Sequence, residues 1–421
     1  MDDIRAGKNT TAISPSPRPP LSPSPKAVIT GVGCVTPLGE DRESTWRTLL
    51  AGEGAARRLR LGDLHGLGEA RWPAIEAWGA PVPLAHAASE PLITLMRAAV
   101  ADAASQANLA RGDFLPSRAG CVIGTSKGEI VALGRMARGD CVPDHWESLW
   151  PQGVSSNIAR EWSLAGPSIV PVAACATGLV CVLRAAELIE NGLCDIVIAG
   201  SADASLQPAI LAAFRRMGVL SKQFDDPAGV CRPFQVGRDG FYIGEGAAAF
   251  VIESREHARR RGAEPLARWR GGMVLSDPSG LTRVDRHGES LAEAIRRTLI
   301  SAGIAAGAIR HINLHGTATV TNDLAEAAAL RSVFGDKLGQ IPSVALKPAL
   351  GHLLGAAGAV ELAISTLAVA RGELPPSLIR GPLDPACALP LARNRIRADG
   401  CGLKLSLGFG GHIAVGCLEP A

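Results

Sequence analysis

The chain reads as an α/β protein whose mainly parallel, buried sheets are covered by helices. Two observations carry that reading. Strand-like and helix-like patterns alternate in both halves of the sequence, the signature of parallel strands joined by crossover helices. An internal repeat then lays one half on the other. AACATGLVCVLRAAELIENG set without gaps on LLGAAGAVELAISTLAVARG aligns Gly178 with Gly358, Val180 with Val360 and Gly192 with Gly372, and it places Cys175 opposite Gly355. With 421 residues, 47% hydrophobic and 20% charged, the chain is long enough to build a large duplicated core.

The elements follow in order. Residues 1–26 carry the Ser/Pro run SPSPRPPLSPSPK with no periodic apolar face, which predicts a disordered tail. AVITGVGCVTPLG predicts a buried strand and turn, DRESTWRTLLAG a short helix, and PLITLMRAAVADAASQANL an amphipathic helix after an irregular stretch from Glu53 to Glu90. GCVIGTSKG predicts a strand, CVPDHWESLWPQGVSSNIAREW a tryptophan-bearing insert, and GPSIVPVAAC the end of a buried strand running into the helix from Ala176 to Glu190. CDIVIAGSADAS is a further strand, followed by a long loop that returns to a strand in GAAAFVIES. In the second half INLHGTATVTND and VALKPAL read as strand-like, LAEAAALRSVFG and LLGAAGAVELAISTLAVARG as helical, and LKLSLGFGGHIAVGCLE as a closing strand pair. The division is thus a tail at 1–26, one half at 27–262 and a second at 263–421.

Composition excludes several classes. A net charge of +3 and 4% aromatic residues do not suit a nucleic-acid partner. The longest apolar runs, such as Leu362 to Ala370, are short and bounded by Gly and charge, so no membrane span is expected. Ten scattered cysteines without metal-ligand spacing, and no signal-peptide pattern, predict free thiols in a reducing cytoplasm.

The chemistry centres on Cys175. A cysteine at a strand-to-helix junction meets unpaired backbone N–H groups and the positive end of the helix dipole, which favour a thiolate and can hold an oxyanion. Small neighbours, Ala174, Ala176 and Gly178, leave room for a substrate; taken alone, Cys175 is equally a small apolar residue. The second copy of the repeat lacks the thiol but carries His352, so duplication with divided chemistry places a site between the halves. His315 follows a strand in LHGTATVTND, and Lys347 and His352 flank a Gly-rich turn. Such histidines serve thiol chemistry in two ways: one activates the sulfur, or neutral imidazoles donate N–H bonds to a carbonyl oxygen that becomes negative. Zinc is the rival, but the one His-x-x-x-His, His311 to His315, lies in a strand-like run and there is no Cys-x-x-Cys, so no metal is expected. His65, His86, His145, His257, His287 and His311 read as solvated.

ACATG at Cys175, PFQVGRDGFYIGEGA around Asp239, HGTATVTND at His315, LKPALGHLLGAAGAVE from Leu346 to Glu361 and GFGG at 408–411 resemble, in chain order, the motifs of elongating β-ketoacyl-acyl carrier protein synthases with a Cys-His-His centre. The resemblance runs from about Ala27 to Glu419. It implies the thiolase-like fold, a five-layered αβαβα duplication, and usually a dimer. By position it implies that Cys175 takes an acyl chain from a carrier-protein phosphopantetheine thioester, and that the N–H groups of Cys175 and Phe409 form the oxyanion hole. It further implies that His315 and His352 bind the malonyl thioester carbonyl. Lys347 would then orient a histidine, with Glu326 as its associated acid. Thr317 and Thr319 would contact the pantetheine arm, and Phe409 would gate the acyl pocket. No cofactor is implied beyond the carrier-borne substrates; the implied partners are acyl carrier protein and a second chain, identical or a related ketosynthase-like subunit. Leu405-Ser406-Leu407 and His412-Ile413 depart from the usual residues around GFGG, which brings specialised polyketide or polyene chemistry alongside fatty-acid elongation. A non-catalytic chain-length partner would commonly lack the cysteine, and a thiolase or acyl-CoA-primed synthase would carry Asn or Cys at one of the histidines.

Overall fold

The computed structural model describes residues 27–65, 77–86, 88–137, 139, 149–223 and 225–421. The proposed tail, and the part of the tryptophan-bearing insert at 140–148, lie outside the described residues.

The strands of the central sheet are β1 (Ala27–Val35), β2 (Ala119–Gly124), β3 (Ser168–Ile169), β4 (Ile196–Asp203) and β5 (Gly246–Ser254) in the first half, then β6 (Ala267–Ser276), β7 (Ile309–Asn313), β8 (Ser343–Val344), β9 (Cys401–Gly408) and β10 (His412–Pro420) in the second. Their order is β8-β7-β9-β10-β6-β1-β5-β4-β2-β3. Each half therefore runs third, second, fourth, fifth, first, and the duplication read from one helix extends to the whole topology. Within each half the first four strands share a direction and the fifth, β5 or β10, runs against them. In the central sheet the halves meet at Val28↔Arg268 and Ile29↔Ala267.

Five long helices cover the strands: α1 (Pro91–Gln106), α2 (Thr177–Glu190), α3 (Glu289–Ala302), α4 (Val320–Phe334) and α5 (Ala357–Arg371). Three apolar cores follow from their faces. Leu92, Leu95, Met96 and Val100 of α1 pack with Ile123, Ile198 and Val251 on the outside of the first half. Leu291 and Ile295 of α3 and Leu330 of α4 pack with Leu403, Leu405 and Val415 outside the second. Between the sheets Leu179, Val182, Leu183, Leu362 and Ile364 of α2 and α5 pack with Val197, Phe250 and Leu418. Outer helix, sheet, paired helices, sheet and outer helix are the five layers of the thiolase-like fold.

The two central helices cross where the repeat aligns its glycines. A Cβ on Gly178 would stand 2.2 Å from the backbone N of Ala359, and one on Gly358 would stand 2.8 Å from that of Leu179. Only hydrogen allows backbones so close. The segment Leu354–Arg371, which includes α5, is apolar and long enough to cross a membrane by composition, with a mean hydropathy of 1.4, but 89% of it is buried within the protein.

Three sequence expectations are corrected. GPSIVPVAAC is not a buried strand: β3 is two exposed residues, and Val172 is 51% exposed. Pro167 and Pro171 bracket it, and proline has no N–H for a ladder. In INLHGTATVTND the strand ends at Asn313 and α4 has begun by Val320; in VALKPAL the strand ends at Val344 and Lys347–Leu350 form a helical turn. Finally, His65, His257 and His311 are buried rather than solvated.

Candidate functional site

Cys175 sits in a 3-10 turn, Ala174–Ala176, that feeds α2. The turn is built by its own sequence. Thr177 accepts the N–H of Ala173 at 2.9 Å and donates to the carbonyl of Ala174 at 2.8 Å, and Ala174 is held at φ 46°. A non-glycine residue in that region is strained, and such strain gathers where side chains must be presented in a fixed direction. The sulfur faces a cavity of about 330 Å³ that His315, His352, Thr317, Thr319 and Phe409 also line.

The GFGG turn closes one wall. The N–H of Phe409 reaches the Cys175 sulfur. The turn is held by the loop after β6, where the N–H of Asp277 donates to Gly411 at 2.7 Å and the N–H of Gly410 to Leu281 at 2.7 Å. Of the departures noted around this motif, Leu407, His412 and Ile413 line the cavity, whereas Leu405 is buried in the outer core. Thr317 and Thr319 hydrogen-bond to each other at 2.8 Å at the mouth of α4.

The histidines stand nearly perpendicular, with ring centroids 5.7 Å apart and planes at 83°. Their partners fix their tautomers. Leu354 donates its N–H to Nδ1 of His352 at 3.2 Å, and Lys347 Nζ donates to Nδ1 of His315 at 3.4 Å. Each Nδ1 is thus an acceptor, and the proton resides on Nε2. Burial holds both imidazoles well below their ordinary pKa, and the ammonium of Lys347 pushes the same way on each. Two neutral rings with Nε2–H are suited to donating to a developing oxyanion, not to taking a proton from sulfur. Of the two roles left open by the sequence, this geometry suits the donor role.

Burial pushes the Cys175 thiol up to about 11, against the pull of Lys347, Lys127 and the Phe409 N–H. Loss of water costs the anion more than the two ammonium groups return, a pull opposite to that of the helix start.

Lys347 reaches His315, but its acid is not the one expected. Its Nζ pairs with Glu361 at 2.7 Å and donates to the carbonyl of His315, while Lys404 pairs with the other oxygen of Glu361 at 2.6 Å. All three side chains are buried. Glu326 makes a different contact: it accepts the N–H groups of His315 and Gly316 at 2.5 and 2.9 Å, bracing the turn rather than pairing with Lys347. Sequence reasoning missed Glu361 as a partner and Lys404 altogether. A lysine inside the apolar run CGLKLSLG and a glutamate inside α5 were the signal, since buried charges occur where they are paired. The His311–His315 zinc reading also dissolves. The His311 ring is packed in the core against Gly402, where an added Cβ would lie 2.3 Å from its Nε2.

A cysteine at a strained turn before a helix, two neutral imidazole donors and a duplicated five-layer scaffold define a thiolase-fold acyl-transfer centre. Residues 25–258 match the family described as β-ketoacyl synthase, N-terminal domain, and residues 266–379 its C-terminal domain. The chain belongs to the β-ketoacyl synthase family. It is 34% identical over 412 residues to a 3-oxoacyl-[acyl-carrier-protein] synthase 2 of Mycobacterium tuberculosis, covering 92% of this chain and 95% of that one. It is also 34% identical to the tetracenomycin polyketide synthase ketoacyl synthase alpha subunit of Streptomyces glaucescens, covering 93% and 96%. Similar solved structures include a type II polyketide acyl-carrier protein in complex with its ketosynthase bound to the hexaketide, with TM-score 0.85, 27% identity and coverage of 94% and 100%. The ishigamide ketosynthase/chain length factor is another, with TM-score 0.81, 30% identity and coverage of 94% and 99%.

Proposed function

We propose that this chain is an elongating 3-oxoacyl-[acyl-carrier-protein] synthase, in which 27–262 supplies the thiol and 263–421 the two histidines. The observation that carries the reading is the pair of Nε2–H imidazoles sharing a cavity with a thiol at the start of a helix.

In the first step the Cys175 sulfur attacks the thioester carbonyl of an acyl carrier protein. The S–C bond forms, the N–H groups of Cys175 and Phe409 hold the oxyanion, and the pantetheine thiol leaves with the proton that Cys175 gives up. In the second, Nε2–H of His315 and His352 bind the malonyl thioester carbonyl oxygen. The C–C bond to the carboxylate breaks, CO2 departs, and its electron pair becomes an enolate held by both donors. The enolate carbon attacks the acyl-cysteine carbonyl, and the tetrahedral oxyanion collapses by expelling the sulfur. The product is a 3-ketoacyl chain two carbons longer. Lys347 holds the His315 tautomer, Glu326 fixes its backbone, Thr317 and Thr319 receive the pantetheine arm, and Phe409 gates the acyl side.

The working unit in this reading is a dimer in a reducing cytoplasm, in keeping with the nine described cysteines, all of them free. The ketosynthase/chain length factor neighbour favours a related subunit as the second chain beside the homodimer. Light scattering on the purified chain separates the two, since a stable homodimer argues against an obligatory partner.

Intact-mass measurement after incubation with a panel of acyl-carrier-protein thioesters tests the function. The native protein is expected to gain the mass of the acyl group and Cys175→Ala to gain none. Absence of an adduct from every chain offered to folded protein removes the self-sufficient synthase.

A further inference from the structure

His65 and His86, both expected to be solvated, converge on Glu245. His65 Nε2 lies 2.6 Å from one carboxylate oxygen and His86 Nε2 lies 3.0 Å from the other. The two imidazoles stack with centroids 4.0 Å apart and planes at 6°. The Glu245 side chain is fully buried, and it also accepts the N–H of Leu206 at 3.0 Å. Among the described residues no lysine or arginine pairs with it.

This arrangement poses a charge problem. The Glu245 carboxyl group is enclosed, with an imidazole nitrogen against each of its oxygens and no lysine or arginine paired to it among the described residues. A buried anion is tolerated when a cation faces it or when it coordinates a metal. Here it is faced by two stacked imidazoles, the Nε2 of each set against a different oxygen of the carboxylate. The three donor atoms lie within 4.8 Å of one another.

We propose that His65 Nε2, His86 Nε2 and the Glu245 carboxylate bind a divalent transition metal of the zinc type, at a site separate from the Cys175 cavity. Two nitrogens and one oxygen form a borderline donor set of the kind zinc takes. Ligation at ~2.0–2.2 Å requires the two stacked rings to tilt so that both Nε2 lone pairs meet at one ion. The Leu206 N–H orients the carboxylate, as outer-shell donors do in metal sites. His86, with its side chain 17% exposed, gives the ion a way in and leaves a fourth position for water. This departs from the sequence analysis, which expected no metal. The metal would join three separated segments directly behind the catalytic turn. Gly244, next to Glu245, donates its N–H to the carbonyl of His352 at 3.0 Å, and His352 donates its own to Tyr242 at 2.8 Å.

The test uses Cys175→Ala, so that the thiol of the other cavity contributes no ligand. After chelator treatment and dialysis, zinc is titrated with calorimetry and cobalt with visible absorption. One equivalent per chain is expected, with a visible cobalt band that lacks thiolate charge transfer and a rise in Tm on loading. Adding His86→Asn, or separately His65→Asn, is expected to weaken binding by on the order of 100-fold or more. Far-UV circular dichroism establishes that each variant is folded. No zinc uptake and no cobalt band in folded Cys175→Ala overturns the proposal, as does full-affinity binding in either folded histidine variant. Should neither variant fold, the cobalt spectrum decides alone, because imidazole and carboxylate ligation either appears or does not.

Discussion

The turns Ala174–Ala176 and Leu354–Ala356 are the same structure used twice. Ala174 has φ 46° and Leu354 φ 45°, each opens a 3-10 turn, and each turn leads into a helix that crosses its twin at an aligned glycine. Their surroundings differ. Cys175 faces an open cavity. Gly355, its counterpart, faces a wall: an added Cβ would lie 2.6 Å from the backbone N of Ser126 and 3.0 Å from Asp203 Oδ2, which accepts the Gly355 N–H at 3.1 Å. The backbone of a nucleophile turn is therefore a property of the duplicated scaffold, and the chemistry is decided by what stands in front of it. In the second copy the neighbouring His352 has moved into the cavity instead.

That contrast can be broken at three points. The largest effect is expected behind the second turn. Glu361→Gln leaves Lys347 and Lys404 buried without a counter-charge, a loss of about 3–5 kcal/mol. Urea unfolding with an unchanged m-value would measure it; a loss below the range for an exposed pair would mean that the two ammonium groups find other partners. A smaller effect is expected at Gly355→Ala, where overpacking against Ser126 and Asp203 costs about 1–3 kcal/mol. Stability equal to that of the native chain would show that the wall yields and that the two turns are closer in environment than their contacts indicate.

The third point concerns protonation and costs no stability at neutral pH. With burial pushing the Cys175 thiol up from 9.0 to about 11, iodoacetamide labelling is expected to climb about tenfold per pH unit from pH 7 through pH 9. A plateau near neutrality, read by intact mass, would mean that the helix start holds a thiolate after all. A raised thiol pKa contributes fully below about pH 9 and is lost as pH rises through 11, whereas the depressed pKa values of His315 and His352 contribute above about pH 6.5 and are lost on acidification.

Sequence patterns alone determined the alternating α/β order, the duplication and its register, the cysteine at a helix start and the three loops that carry His315, Lys347 and His352, and Phe409. These are legible because periodicity, glycine placement and motif spacing are local properties of a chain. The same local view misled at GPSIVPVAAC, where prolines at 167 and 171, which lack N–H groups, limit the strand to Ser168–Ile169. Tertiary structure alone decided the rest. The protonation of Cys175 depends on loss of water, the tautomers of His315 and His352 on a lysine and a backbone N–H, the partner of Lys347 on a glutamate in the middle of α5, and the meeting of His65 and His86 on a carboxylate 159 or more residues away. Each of these is an energy of burial and pairing that depends on how side chains are enclosed in three dimensions, even where, as for Lys347 and Glu361, both partners stand in one stretch of sequence.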